Sequence, residues 1–297
     1  MHELATTAPR RPQLGTTQAR PDSGAFVVGT FNLHAGVDGW GRPFDVVAAC
    51  RTLDADLLVL EENWAPDDEP SVARSVADAL GYDAWEQALA GGRLARPHPR
   101  ADGRWMRSMD WRGASHAIYL DSERPYGDNV TRSRRYVGAQ QGHWGIALLS
   151  RLPVVRVDVI DMGRLRRDRA RRAALVAEVR VGPHTVTVVG THMSHLTYGA
   201  PRQFLALRRR LAAAIGDGPA VLAGDMNLWG PPVAALLWGW RRAVRSKTWP
   251  AWRPHSHVDH VLIRGALQVV CGEVLGMAGS DHLPVRATLR AGGRVAR

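Results

Sequence analysis

Ala220-Val221-Leu222-Ala223-Gly224-Asp225-Met226-Asn227 sets a short apolar run directly against a turn that holds a carboxylate and an amide. A continuous apolar run that stops at glycine suits a strand covered on both faces. Asp and Asn behind it are favoured in turns for backbone reasons as well as chemical ones. The arrangement recurs. Asn32 follows Val27-Val28-Gly29-Thr30-Phe31, and Glu61 and Glu62 follow Asp56-Leu57-Leu58-Val59-Leu60. His192 follows Thr187-Val188-Val189-Gly190-Thr191, while Asp281 and His282 precede Leu283-Pro284-Val285. Taken singly, each is explained equally well as a strand-end turn residue.

Working outward, strands are expected at Phe26 to Phe31, Leu57 to Leu60, Ile146 to Leu149, Val154 to Ile160, Leu175 to Val181, Thr185 to Val189, Ala220 to Ala223, Val258 to Ile263 and Val285 to Leu289. Helical apolar spacing predicts helices over Pro43 to Leu53, Ser71 to Leu80, Pro201 to Ile215 and Val233 to Val244. The tight link Val181-Gly182-Pro183-His184 favours antiparallel pairing and argues against an all-parallel sheet, so mixed sheets are expected. Ala90 to Gln141, dense in Gly, Arg, Trp and Pro, is the least patterned region. A long irregular segment of this kind is usually functional or mobile.

With 297 residues, 45% of them hydrophobic, the chain can bury a sizeable core in one large α/β domain or two small ones. Its formal charge of +11, carried by Arg with Lys247 the only lysine, favours anionic partners. Cys50 and Cys271 cannot build a disulfide framework, and both lie in apolar stretches that suit buried thiols. Residues 1–24 contain no apolar core of a secretory signal and are expected to form a flexible arm. No stretch of the length needed to span a bilayer occurs, which points to a cytoplasmic protein.

The order of the polar segments is more specific than any one of them. Thr30-Phe31-Asn32-Leu33-His34, Leu60-Glu61-Glu62-Asn63, Gly190-Thr191-His192-Met193, Gly224-Asp225-Met226-Asn227, Val258-Asp259-His260-Val261-Leu262 and Gly279-Ser280-Asp281-His282-Leu283-Pro284-Val285 together resemble the successive signatures of the endonuclease/exonuclease/phosphatase superfamily. Gly145 to Pro153 resembles the structural strand and turn between the second and third. The resemblance runs from Phe26 to Leu289 and implies an α/β fold: a four-layer sandwich of two mixed β-sheets flanked by helices. Residues 25–292 would form the catalytic domain and 293–297 a short tail.

The resemblance implies that Glu62 is the principal ligand of a divalent metal, helped by Asn32 and Asp281, and that Glu61 stands where the family commonly has Gln. All-oxygen ligation suits Mg²⁺, with Mn²⁺ as an alternative. Asp225 would orient and deprotonate the attacking water, with Asn227 fixing its position. His282 would contact a phosphate oxygen, held cationic and oriented by Asp259. His192 resembles the second active-site histidine of deoxyribonuclease-, sphingomyelinase- and inositol-phosphatase-like members, which abasic-site endonucleases of the superfamily lack. Glu86 is a candidate acidic partner for it.

The expected function is Mg²⁺-dependent phosphoester hydrolysis, with nucleic acid favoured as substrate. Arg104, Arg107 and Arg112, interleaved with Trp105 and Trp111, would meet a phosphate backbone. A solvated loop explains the same segment equally well, and the Arg164 to Arg172 run is expected to be a solvated connection. Alternatives are a phospholipid or sphingomyelin-type phosphodiesterase, a phosphatase on a small phosphorylated substrate, and a non-catalytic nucleic-acid-binding protein. Val233 to Trp240 is expected to be a core helix in preference to a membrane-dipping one. A zinc or dinuclear site built on His192 and His195, or on His255, His257 and His260, is the competing metal reading.

Overall fold

A computed structural model describes residues 24–38, 41–95, 118–120, 139–196 and 200–292. Their strands are β1 (Ala25–Asn32), β2 (Leu57–Pro66), β3 (Asp83–Leu94), β4 (Ile118–Leu120), β5 (Gln140–Ser150), β6 (Val154–Gly163), β7 (Arg172–Val181), β8 (His184–Thr191), β9 (Ala220–Asp225), β10 (Arg241–Arg242), β11 (Asp259–Arg264), β12 (Leu267–Val274) and β13 (Val285–Ala291). The helices are α1 (Val46–Leu53), α2 (Val72–Leu80), α3 (Ala200–Ile215) and α4 (Gly230–Leu236), with one 3₁₀ turn at His34–Gly36.

One sheet has the order β12-β13-β1-β2-β5-β3-β4 and the other β10-β11-β9-β8-β7-β6. Both are mixed. The β1/β2 and β8/β9 pairs are parallel and their remaining neighbours antiparallel.

Alternation along the strands divides the core into layers. Phe26, Val28, Leu57, Val59, Ile146 and Leu148 of the first sheet pack against Leu175, Val188, Val221, Val261 and Ile263 of the second. The opposite parity, Val27, Leu58, Leu60, Ala147 and Leu149, packs beneath α1 and α2 through Cys50, Leu53, Val76 and Ala77. On the far side Val176, Val189, Leu222 and Leu262 are covered by α3 and α4 through Phe204, Leu207, Leu211 and Val233. The result is the four-layer sandwich anticipated from the sequence.

Several boundaries differ from expectation. The first helix begins at Val46 and not at Pro43, because Asp45 caps it, accepting from the Ala48 amide at 2.8 Å. The helix expected over Val233 to Val244 starts earlier, with Pro231 and Pro232 in its first turn, and ends at Leu236. Gly239 then takes φ 90°, turning the chain into β10.

The region expected to be irregular is strand at both ends, in β3 and β5, and again in β4. Cys50 is buried as expected, and burial pushes its thiol up to about 12. Cys271 is exposed, because β12 is an edge strand whose middle faces solvent. The 1–24 arm (apart from Gly24) and the 293–297 tail lie outside the described residues, as do Arg104, Arg107, Arg112, Trp105 and Trp111. Among the described residues no helix is long and apolar enough to cross a membrane.

Candidate active site

The polar residues gather at one rim because the parallel pairs β1/β2 and β8/β9 deliver their C-terminal ends there, while antiparallel β11 and β13 begin there. Asn32 sits opposite Glu61 in register, and Asp225 opposite Asp259. Backbone conformations ordinarily reserved for glycine cluster at this rim: Glu62 has φ 53°, Asn227 49° and His34 47°. Gly224 admits no replacement, since a Cβ there would lie 1.8 Å from the Thr191 carbonyl oxygen.

Glu61 and Glu62 are separated by a β-bulge. Glu61 pairs with Ile146 and Asn63 with Gly145, leaving Glu62 as the extra residue. Glu61 stays buried, and its Oε1 accepts from Thr30 Oγ1 at 2.6 Å while Oε2 has no protein partner. Burial holds its carboxyl well above the usual carboxylate range. Glu62 turns to the rim, where Asn32 Nδ2 lies 3.2 Å from its Oε1.

Asp225 Oδ2 is the hub. It lies 3.0 Å from Asn32 Nδ2, 3.5 Å from His192 Nε2 and 3.8 Å from His282 Nε2, while Oδ1 accepts from the Asn227 amide at 2.8 Å. His282 Nδ1 is 3.0 Å from both Asp259 oxygens. Thr248 Oγ1 in turn accepts from the Asp259 amide at 3.2 Å. The loop before β13 is tied down where Ser280 Oγ donates to the Asn32 carbonyl at 2.7 Å, and Trp249 Nε1 donates to Asp281 Oδ2 at 3.3 Å. Asn32, Glu62, His192, Asp225, Asn227, Asp259, Asp281 and His282 therefore lie in one network or directly beside it.

Burial and the neighbouring Asp259 push Asp225 up to about 7. Burial opposes the charge on His282, yet Asp259, Asp281 and Asp225 outweigh it and hold the imidazole well above its ordinary value. For His192 burial acts together with Arg172 and His282 to push the value well down. Asn227 Nδ2 lies 3.0 Å from His192 Nε2. Nε2 thus faces both the Asn227 amide and the Asp225 carboxylate, while the buried Nδ1 has no protein partner. Burial works against ionisation of Asp281, but His34 and His282 keep its carboxyl below the usual range.

Glu62 and Asp281 offer the hard oxygen donors a magnesium-type ion takes. Asn32 lies beside them: its Oδ1 accepts from the His34 amide at 3.0 Å and keeps a second lone pair, while its Nδ2 faces the Glu62 and Asp225 carboxylates. Among the described residues, ligand atoms of Asp225, Asp259 and His282 lie within 4.8 Å of one another. His282 Nδ1 faces both Asp259 oxygens and the surrounding acids favour its charged form, which the ring would have to give up to bind a metal. His257 and His260 stack on each other at 4.1 Å, and burial drives them down to about 4 and about 3.

Glu86 is not the partner of His192. It accepts from Asn63 Nδ2 at 2.9 Å and lies 3.5 Å from Arg74. What the sequence reading missed is the brace behind His192. Arg172 Nε bonds Asp168 Oδ2 at 2.9 Å, both side chains are at most 7% exposed, and Arg172 reaches the His192 carbonyl at 3.4 Å. Ser194 Oγ also donates to Asp168. Trp144 fills the space between, with Arg172 5.1 Å from its ring and the His192 ring 5.0 Å away. The Arg164 to Arg172 run is thus not simply a solvated connection. The available signal was Asp168, a lone acid within a basic run, which needs cationic partners if buried.

Residues 29–282 match the profile of the Endonuclease/Exonuclease/phosphatase family. No curated protein sequence matches the chain. Its fold is similar to that of an endonuclease/exonuclease/phosphatase from Beutenbergia cavernae, with TM-score 0.61, 23% identity, and coverage of 92% of this chain and 74% of that one. A second, from Bacteroides vulgatus, has TM-score 0.57 and 15% identity, covering 90% and 99%. Truncated TDP2 from Caenorhabditis elegans has TM-score 0.52 and 15% identity, covering 90% and 98%.

Proposed function

We propose, from the premise that this chain belongs to the endonuclease/exonuclease/phosphatase family of metal-dependent phosphoesterases, that residues 25–292 hydrolyse a phosphodiester with Asp225 as the base. The observation carrying this reading is the position of Asp225 Oδ2 between Asn32, His192 and His282, in a carboxyl held up to about 7. A general base works best with a pKa near the operating pH.

Glu62, helped by Asn32 and Asp281, would hold Mg²⁺ or Mn²⁺, and the Asn32 amide nitrogen would orient the Glu62 and Asp225 carboxylates. A bound cation of this kind supplies charge neutralisation at phosphoryl oxygens. Asp225 would take a proton from water that Asn227 helps to place. His282, protonated and fixed by Asp259, would donate from Nε2 to a non-bridging phosphate oxygen, where its charge counts most in the transition state. His192, whose Nε2 lies between the Asn227 amide and Asp225 and whose burial disfavours its charge, is suited to orienting those two groups. Protonating a leaving oxygen would require it to gain a charge that burial and Arg172 oppose.

Hydrolysis of a small activated phosphodiester with Mg²⁺ tests the reading. Asp225→Asn should lower turnover by orders of magnitude with little change in substrate affinity; turnover equal to the parent would remove Asp225 as base. For the natural substrate the +11 charge supports nucleic acid. Exposed Trp229 and Trp238 support a second reading, a lipid-borne phosphodiester. Plasmid DNA, single-stranded DNA, RNA, sphingomyelin and inositol phosphates, each with and without Mg²⁺, separate the two.

A further inference from the structure

From Met226 to Trp240 the chain carries no charged side chain. This stretch comprises the turn bearing Asn227, then α4 and the turn after it. Leu228, Val233, Leu237 and Trp240 point inward and join the outer core with Phe204 and Leu207. The residues left outside are equally apolar: Trp229 is 49% exposed, Trp238 69%, and Pro231 and Ala235 are exposed between them. Leu205 of α3 is exposed as well. A helix apolar on all sides is normally buried, whereas this one lies on the surface with a tryptophan at each end.

The frame around it is cationic. Arg208 lies 5.4 Å from the Trp238 ring, and Arg202, Arg209 and Arg241 are exposed nearby in sequence. Across residues 200–258 the acids are Asp217 and the buried Asp225, against eight arginines and Lys247. Interfacial membrane segments combine these features, with Trp at headgroup level, an apolar face below it and Arg against anionic lipid. A nucleic-acid surface interleaves cations with its stacking rings, and that pattern is absent between Trp229 and Trp238.

We propose that the outer face of α4, with Trp229 and Trp238, docks on an anionic phospholipid surface. Docking there sets the Asn227 turn, two residues from Trp229, beside the lipid, with His260 Nε2 fixing that turn through the Leu228 carbonyl at 2.9 Å. The proposal rests on the second substrate reading above, and its test separates the two because binding is measured without turnover.

The full chain is sedimented with vesicles of phosphatidylcholine, alone or containing phosphatidylserine. The parent should sediment with the anionic vesicles and only weakly with the neutral ones. Trp229→Ala/Trp238→Ala should lower that binding by about tenfold or more. Arg202→Gln and Arg209→Gln should each lower it about fivefold, as expected for an arginine near a negative leaflet. Trp238→Ala should keep the parent's thermal midpoint and its hydrolysis of a small activated phosphodiester. The proposal is overturned if the parent ignores anionic vesicles or if the double tryptophan variant sediments like the parent. It is equally overturned if Trp238→Ala instead dissociates a dimer or abolishes DNA binding. Vesicle binding without any diester hydrolysis by the parent would sink the catalytic reading and leave the docking surface standing.

Discussion

Replacing Asp168 by Asn tests the brace behind His192 most sharply. Asp168 and Arg172 are buried together, so the substitution leaves the Arg172 guanidinium out of water without its counter-charge. Removing one partner of such a pair costs about 3–5 kcal/mol. Asn retains a hydrogen bond to Ser194, which favours the lower end, about 3 kcal/mol, a large part of the ~5–15 kcal/mol that holds a domain folded. With about 2–4 °C per kcal/mol for a chain of this class, the midpoint should fall by roughly 6–12 °C. Urea unfolding followed by linear extrapolation measures it. Arg171 and Asp161, paired in the open a few residues away, provide the control: Asp161→Asn should cost at most about 1 kcal/mol. Asp168→Leu/Arg172→Met should recover only part of the loss, since it removes both buried charges but leaves Ser194 Oγ and the Ala170 amide without their acceptor. A single-variant cost under about 1 kcal/mol, or a double variant worse than the single, would refute the buried pair. Burial opposes the ionisation of Asp168, but Arg172 and Ser194 hold its carboxyl below the usual range. Its contribution is therefore present above the unfolded carboxylate value and lost as pH falls through the lower folded one.

Glu62→Gln should weaken Mg²⁺ binding in calorimetric titration, whereas Glu61→Gln should not, because Glu61 faces Thr30 in the interior; equal affinities for both would remove Glu62 from the metal site. The pH profile of kcat/KM should rise through an acidic limb with its midpoint near 7 as Asp225 loses its proton, and Asp225→Asn should abolish that limb. The raised value of His282 gives stability that is fully present below the unfolded histidine value and is lost as pH rises through the higher folded one; Asp259→Asn should flatten this dependence in melts run from neutral to alkaline pH. If Arg104, Arg107 and Arg112 meet a DNA backbone, replacing all three by Ala should make the log-log salt slope of binding shallower by roughly 0.9 per lost contact, and an unchanged slope would exclude them.

The strands that carry the site were legible because each is a short, continuous apolar run covered on both sides. β1, β2, β8 and β9 all lie close to their expected positions. β3 was not, since Trp85, Glu86, Gln87 and Ala88 are half-buried and leave no apolar run or clean alternation. β12 was hidden for the opposite reason, as an edge strand with exposed Val269 and Val270 and only Leu267 fully inside. At the site, the residue types and their order were enough to single out side chains that the fold brings to one rim. Their arrangement depends on facts no single sequence contains, such as the bulge that parts Glu62 from Glu61 and the burial of His192. The Asp168–Arg172 pair left only the faint signal of a lone acid in a basic run, because the burial that gives a charge pair its weight depends on Trp144 and its neighbours in the fold.

The bulge at Glu62 also makes strand length a chemical variable. Before it, Leu57, Val59 and Glu61 point between the sheets; after it the phase is reversed, so that Trp64 returns to that interior while Asn63 turns outward to Glu86 and the α2 amide of Ala73. Deleting either glutamate would produce the same molecule, with one carboxylate held inside and none at the rim. Restoring the lost carboxylate by substitution elsewhere in β2 would not repair it. The two adjacent glutamates therefore behave as a spacer of fixed length, in which the extra residue, more than either side chain's identity, sends one carboxylate inward and the other out.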